Sequence, residues 1–132
     1  MRIVLDTNVL IAAFVSRGTC HELLEHCAIR HRVVLSPFLI AEFRTALVRK
    51  FRFPASEADE AAGLLESRFE NVTPPPLRES VCRDPDDDHV IAAAVAAACE
   101  CIVTGDRDLP DLRAVSGVRI VSPSEFWAFE AG

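Results

Sequence analysis

Near the start of the sequence stands Ile3-Val4-Leu5-Asp6, three consecutive apolar residues followed at once by an acid. A short, continuous apolar run is typical of a strand that is buried on both faces of a sheet. Three later runs have the same character: Val33-Val34-Leu35, Cys101-Ile102-Val103-Thr104 and Val118-Arg119-Ile120-Val121. Apolar residues at helical spacing lie between them. Because strands that alternate with helices form parallel sheets, the sequence predicts an α/β fold with a mainly parallel sheet of four to five strands, covered by helices on both faces.

Capping residues mark the predicted helix starts. A serine or threonine that precedes an acid by three residues predicts a capping box. Three such pairs precede predicted helices: Thr19 with Glu22, Ser56 with Asp59, and Ser122 with Glu125. Ser36-Pro37 and Asp84-Pro85 each combine a capping residue with a proline that fits the first helical position. From Asp84-Pro85 we expect an alanine-rich helix that ends near Glu100.

Length and composition indicate one globular domain over residues 1–132. Half of the residues are hydrophobic and 26% are charged, which suffices for one packed core. The longest helical run without a charge or a breaker, Val90 to Cys99, is far shorter than the roughly 20 residues that cross a bilayer. Asp6 ends the first apolar stretch too early for a signal peptide. We therefore expect a cytoplasmic protein with no membrane association.

Charge and cysteine usage exclude several classes. Five cysteines without a Cys-x-x-Cys pair argue against a disulfide framework and a zinc ribbon. His21, His26 and His31 recur every five residues, which spreads them around a helix and favours solvated or capping roles over metal ligation. The net charge of −6 argues against a nucleic-acid coat protein. It does not exclude an enzyme on nucleic acid, because divalent metals reverse the field of clustered carboxylates.

Two acids stand at the predicted carboxyl ends of strands. Asp6 follows the first strand directly, and Asp106 follows the third strand across Gly105. Ligands of parallel α/β folds bind beyond these strand ends, so both acids belong to the expected ligand edge. Each also has a structural interpretation as a helix cap or a turn residue, a role that Asp108 would share.

Glu42 stands on the apolar stripe of its predicted helix, beside Phe38, Leu39 and Ala46. A buried charge without a partner is strongly unfavourable, so Glu42 needs one. One interpretation is a salt bridge, and the other is a metal or catalytic role. The candidate partners for the salt bridge are Arg2, Arg44 and Arg49.

The densest charge cluster is Asp84-Pro85-Asp86-Asp87-Asp88. Capping and the helix dipole account for one or two of these acids, and at least one remains to be explained. Helical periodicity does not decide between Asp87 and Asp88. If acids from four such places meet at one edge, one or two Mg²⁺ or Mn²⁺ ions would balance their charge. Four basic residues would then be available to hold phosphate: Arg44, Arg49, Lys50 and Arg52.

Four blocks of this sequence resemble the PIN-domain family. Similar to its acidic blocks, and in the same order, are Asp6-Thr7-Asn8-Val9-Leu10-Ile11, Glu42, Asp88-His89-Val90-Ile91-Ala92-Ala93-Ala94 and Thr104-Gly105-Asp106-Arg107-Asp108-Leu109. The chain most resembles the small, single-domain PIN proteins that are grouped with VapC-type toxins. The resemblance implies a three-layer α/β/α sandwich and an Mg²⁺- or Mn²⁺-dependent endoribonuclease. It also implies the toxin of a type II toxin–antitoxin pair, with RNA as substrate, a protein antitoxin as partner and a homodimer as a common assembly.

The resemblance carries the catalytic and metal-ligand role onto four acids: Asp6, Glu42, Asp88 and Asp106. Asp87 and Asp108 are the second choices, and Asn8 and Thr104 match positions that support the site by hydrogen bonds. One alternative is a haloacid-dehalogenase-like phosphatase, whose chemistry requires an acid where Asn8 stands. The other alternative is a PIN-fold binding module with a weak or unused site. Its support is the aromatic tail Phe126-Trp127-Phe129, which core packing also explains.

Overall fold

The computed structural model describes residues 1–77, 87–106, 114–115 and 117–132. Helices and strands alternate along most of this chain. In chain order the elements are β1 (Arg2–Leu5), α1 (Thr7–Val15), α2 (Thr19–Arg30), β2 (Arg32–Leu35), α3 (Pro37–Arg49), α4 (Ala55–Arg68), β3 (Glu70–Asn71), α5 (Asp87–Ala96), β4 (Cys101–Val103), β5 (Ala114–Val115), β6 (Val118–Val121) and α6 (Pro123–Ala131). None of these helices is both long and apolar enough to cross a membrane.

The predicted fold class is confirmed. The sheet has the order β3-β2-β1-β4-β6-β5, and its first five strands are parallel. All four predicted strands lie in its centre. Two strands of two residues each, β3 and β5, extend its edges, and β5 pairs with β6 in the antiparallel direction.

The strand β1 lies at the centre and is buried on both faces, as its apolar run predicts. Ile3 and Leu5 pack on one face of the sheet against the core that α1, α2, α3, α4 and α6 supply. Val4 points to the other face, where Val90 and Ile91 of α5 pack. Helices thus cover both faces and form the three layers. In the register Leu5 is paired with Val103, so β1 and β4 end side by side at the carboxyl edge.

Two helix starts form as predicted, and two predicted capping boxes are wrong. Ser36 accepts a hydrogen bond from the Leu39 amide, and Ser122 with Glu125 forms a complete capping box. By contrast, α2 has Gly18 as its N-cap and α4 has Pro54. Thr19 and Ser56 therefore lie inside the first turn of their helices, where neither side chain acts as the cap.

The alanine-rich helix α5 ends at Ala96, earlier than the predicted end near Glu100. The Cys99 amide donates to the Ala94 carbonyl at 2.8 Å, and Ala98 takes a left-handed φ of 53°. Glycine usually occupies this position of a helix end. An alanine there carries no sequence signal. The predicted helix start at Asp84-Pro85 lies outside the described residues.

Candidate active site

Asp6 directly follows β1 and is therefore the first acid of the site at the carboxyl edge of the sheet. Its amide donates to the Val103 carbonyl at 2.9 Å, so the strand pairing with β4 holds its backbone. Its Oδ1 accepts a hydrogen bond from the Thr7 amide at 2.7 Å, which makes Asp6 the N-cap of α1. The side chain is buried, with the residue 4% exposed. Asp6 is therefore a helix cap and a buried acid at the ligand edge at once.

Among the described residues, the groups that donate hydrogen bonds to the Asp6 carboxylate are all neutral. Besides the Thr7 amide, the Thr104 hydroxyl donates to Oδ2 at 2.7 Å and the Asn8 amide nitrogen donates to Oδ2 at 3.3 Å. Burial raises the pKa of Asp6 above its ordinary value, and the nearby charge of Asp106 raises it further. The hydrogen bonds from Thr104, Thr7 and Asn8 oppose this rise in the pKa.

The turn after β4 is bound to the start of α1. The Gly105 amide donates to Asn8 Oδ1 at 2.9 Å, and the Asp106 amide donates to the Thr104 hydroxyl at 3.0 Å. A Cβ atom on Gly105 would lie 3.3 Å from Asn8 Oδ1, so the glycine permits this close approach. Asn8 and Thr104, the two expected supporting residues, thus connect Asp6 to the backbone that carries Asp106.

Glu42 reaches the same edge from α3. Its Oε1 accepts a hydrogen bond from the Thr7 hydroxyl at 2.8 Å, so Thr7 contacts Glu42 through its side chain and Asp6 through its amide. Two of the three candidate salt-bridge partners pair elsewhere. Arg2 pairs with Glu70, and Arg44 pairs with Asp59 in an exposed ion pair that raises the pKa of the guanidinium.

An open cavity of about 630 Å³ connects these side chains. The acids that line it are Asp6, Glu42, Asp87 and Asp106. They come from four separate places in the fold: the end of β1, the middle of α3, the start of α5 and the turn after β4. Arg49 and Lys50, at the end of α3, also line the cavity. The cavity therefore combines acidic and basic groups on one surface.

The remaining predicted site residues lie elsewhere or outside the described ranges. Asp88, the first choice for the α5 acid, is not among the described residues that line the cavity. One helical step turns a side chain by about 100°, which separates Asp88 from Asp87 in direction. Asp87, the second choice, is the acid of α5 that lines the cavity. Neither Arg44 nor Arg52 lines this cavity, and Asp108 lies outside the described residues.

The donor set of the cavity fits a hard divalent cation. Carboxylate oxygens are the ligands that Mg²⁺ and Mn²⁺ prefer, and a cation would offset the cost of charging Asp6 beside Asp106. Among the described residues, no three acids bring carboxylate oxygens within 4.8 Å of one another. The described acids thus line the cavity wall, and their carboxylate oxygens are not gathered around a single point.

A stacked aromatic pair beside the acids was missed by the sequence analysis. The rings of Phe38 and His89 are stacked, with centroids 3.8 Å apart and planes 9° from parallel. Phe38 lines the cavity, and His89 follows Asp87 by two residues on α5. Phe38 reads as part of an apolar stripe in the sequence, and only the packing of α3 near α5 brings the two rings together.

Comparison with known proteins adds a family match. The model of the PIN domain family matches residues 2–108 of this chain. Among curated proteins, no sequence match was found.

Several solved structures have a similar fold. VapBC2 from Rickettsia felis, bound to a DNA fragment from its promoter, has a TM-score of 0.67 and 14% identity, with 92% of this chain and 98% of that chain covered. VapBC-1 from nontypeable Haemophilus influenzae has a TM-score of 0.66 and 16% identity, with 94% and 99% covered. VapC20 from Mycobacterium tuberculosis, a toxin that cleaves the sarcin–ricin loop, has a TM-score of 0.62 and 20% identity, with 89% and 98% covered. At these identities the likeness concerns the fold.

Proposed function

The chain belongs to the PIN domain family, and on this basis we propose that it is a metal-dependent endoribonuclease that hydrolyses RNA phosphodiester bonds. The observation that carries the proposal is the cavity at the carboxyl edge of the sheet. Acids from four elements line it together with Arg49 and Lys50. Acids that bind cations, beside bases that bind phosphate, are the groups that phosphodiester hydrolysis requires.

Three acids, Asp6, Glu42 and Asp106, would hold one or two Mg²⁺ or Mn²⁺ ions, and Asp87 or its neighbour Asp88 would complete the set. When bound, such an ion lowers the pKa of an attacking water and stabilises the charge that develops on the phosphate. The protein contributes fixed geometry. Thr7, through its amide, orients Oδ1 of Asp6 and, through its hydroxyl, orients Glu42.

The other oxygen of Asp6 is oriented by Thr104, which follows β4, and by Asn8 of α1. The Thr104 hydroxyl and the Asn8 amide both donate to Oδ2, so the carboxylate has little freedom to rotate. Arg49 and Lys50, which line the same cavity, would bind the RNA backbone. Asp59 pairs with Arg44, so Arg44 is a weaker candidate for phosphate than these two.

We further propose that the chain is the toxin of a type II toxin–antitoxin pair. The support is the similarity to VapBC2, VapBC-1 and VapC20, whose chains are covered almost completely. On this proposal the partner is a protein antitoxin, and the toxin forms a homodimer. Co-expression with the product of the adjacent gene, followed by purification through a tag on one chain, tests the partner. If that product neither co-purifies with the tagged chain nor inhibits its RNA cleavage, the toxin proposal fails. The nuclease proposal does not depend on this result.

The nuclease proposal is tested by RNA cleavage with Mg²⁺ or Mn²⁺ and with EDTA. We expect cleavage only with metal, and we expect Asp6→Asn to abolish it. Asp59→Asn is the matched control, because it makes the same chemical change in an exposed ion pair outside the cavity. Equal cutting in EDTA, or full activity of Asp6→Asn, would overturn the proposal.

One alternative has a specific observation in its favour. A PIN-fold binding module is supported by Trp127, which is 36% exposed beside the buried Phe126. Calorimetric titration with Mg²⁺ separates the two functions, since a module without catalysis need not bind the ion. The phosphatase alternative requires an acid two residues after Asp6, and Asn8 occupies that position instead. The Asn8 side chain donates a hydrogen bond to Asp6 and accepts one from the Gly105 amide.

A further inference from the structure

A second group of metal-ligating side chains lies at the other end of the sheet. His26 comes from α2, His31 follows α2 and precedes β2, and Glu130 comes from α6. Nε2 of His26 lies 2.6 Å from Oε2 of Glu130, and Nε2 of His31 lies 2.5 Å from the same oxygen. Their ligand atoms all lie within 4.8 Å of one another. The expectation that the helical spacing keeps these histidines apart is wrong, because His31 lies beyond the end of the helix.

The cluster is built into the fold. His31 is the C-cap of α2, and its amide donates to the Cys27 carbonyl at 2.9 Å. The ring of Trp127 lies 5.0 Å from that of His26, and the ring of Phe126 lies 6.0 Å from that of His31. The side chains of His31, Glu130 and His26 are 10%, 24% and 29% exposed. An ion between them would therefore lie beside aromatic rings in a partly buried position.

Donor chemistry separates this cluster from the acidic cavity. Two imidazoles and one carboxylate form a common ligand set for Zn²⁺ that leaves its fourth position open, whereas Mg²⁺ prefers oxygen ligands alone. In a tetrahedral zinc site the ligand atoms lie roughly 3.4 Å apart, as bond lengths near 2.1 Å require. The Glu130 carboxylate would need to withdraw by less than about 1 Å from each imidazole to admit the ion. Glu130 lies on the last turn of α6, one residue before the helix ends.

We propose that His26, His31 and Glu130 form a second metal site, selective for Zn²⁺ over Mg²⁺ and distinct from the acidic cavity. The site joins α6 to α2 across about a hundred residues of sequence. A bound ion therefore stabilises the folded chain, because residues so far apart come together only in that state. The site does not depend on the proposed nuclease function, since Asp6 and His31 lie at opposite ends of the central strands.

The test uses the full chain, stripped of metal with EDTA, and measures the melting temperature and the affinity by calorimetry with Zn²⁺ and then with Mg²⁺. We expect Zn²⁺ to raise the melting temperature of the wild type. Loss of one ligand in His26→Gln should weaken Zn²⁺ binding by about 100-fold or more. His21→Gln is the matched control on the same helix, since His21 contacts the Ala13 carbonyl instead. The control should bind Zn²⁺ like the wild type.

Two further measurements exclude other zinc ligands. Asp6→Asn should keep the Zn²⁺-induced rise in melting temperature, and its loss there would place the ion in the acidic cavity and overturn the proposal. Co²⁺ should show the absorption of tetrahedral nitrogen and oxygen ligands. A cobalt–thiolate charge-transfer band would instead assign the metal to a cysteine such as Cys27, whose charge interaction with Glu130 indicates that it lies nearby. Glu130→Gln provides a second ligand variant if His26→Gln does not fold, and equal Zn²⁺ affinity in this variant and the wild type would also overturn the proposal.

Discussion

The two ends of the parallel sheet differ in the partners that they provide for acidic side chains. At the carboxyl edge, Asp6 is buried, its hydrogen-bond donors among the described residues are neutral, and Asp106 adds a second negative charge nearby. Toward the amino edge, acids lie beside basic side chains: Glu70 pairs with Arg2, and Glu130 contacts two histidines. Paired charges at the amino edge favour stability, whereas at the carboxyl edge charging Asp6 carries a cost that a bound cation would offset.

The pKa shifts of two acids express this difference. The pKa of Asp6 is raised, chiefly by burial, so its charged form disfavours folding. That cost is absent below the unfolded-state pKa of about 3.8 and is complete above the folded-state pKa. The pKa of Glu130 is lowered by hydrogen bonds from His31 and His26. Its contribution to stability is present above the unfolded-state pKa of about 4.5 and is lost as the pH falls through the folded-state pKa.

The largest expected effect is on RNA cleavage. Glu42→Gln removes a charge at the cavity, and we expect kcat to fall by about 10³-fold, the scale on which loss of one electrostatic group acts on an enzyme. Glu70→Gln makes the same change in the Arg2 ion pair and should leave kcat within about twofold of the wild type. Single-turnover cleavage with Mg²⁺ measures both. Equal losses in the two variants would show that the two edges do not differ in function.

The next effect concerns the hydroxyl that supports Asp6. Thr104 is fully buried, and Thr104→Val removes its donor to Asp6 Oδ2 and its acceptor for the Asp106 amide. We expect the free energy of unfolding to fall by about 2 kcal/mol, since buried polar groups lose their partners. Urea denaturation in EDTA measures the change. Thr45→Val, an exposed threonine on the cavity wall, is the matched control and should change stability by less than about 0.5 kcal/mol.

A smaller effect follows from the charge of Asp106. Without metal, Asp106→Asn removes a cause of the raised pKa of Asp6, and we expect a gain in unfolding free energy of about 0.5–1 kcal/mol at pH 7. The gain should disappear below about pH 3.8, where Asp6 is protonated in both folded and unfolded chains. Denaturation at several pH values, with NMR titration of the Asp6 carboxyl, tests this. An Asp6 pKa that stays unchanged in Asp106→Asn would contradict it.

The smallest effect belongs to the amino edge. The side chains of Arg2 and Glu70 are 40% and 31% exposed, so solvent screens their ion pair. We expect Glu70→Gln to lower the free energy of unfolding by no more than about 0.5 kcal/mol at low salt. The difference should vanish in about 1 M NaCl, where the Debye length is near 3 Å. A loss that persists at high salt would indicate that packing, and not charge, carries the contribution of this pair.

Local sequence patterns were sufficient for most of the framework. The apolar run of β1 and the capping box at Ser122 with Glu125 depend on residues next to each other in the chain, and both form as predicted. Where a neighbouring residue competes, local reasoning fails: Gly18 takes the cap position that Thr19 was expected to fill. The positions of Asp6 and Asp106 at one edge follow from parallel topology alone, because the carboxyl ends of neighbouring parallel strands lie together.

The sequence by itself thus determined the α/β class, the central strands and the edge at which the acids gather. The tertiary structure alone decided that Thr7 contacts Glu42, that Asp87 lines the cavity and that Glu130 meets two histidines. The physical reason is the distance along the sequence over which each kind of interaction acts. Periodicity and capping act over a few residues, whereas these contacts join side chains from separate elements, whose directions depend on how helices and strands pack.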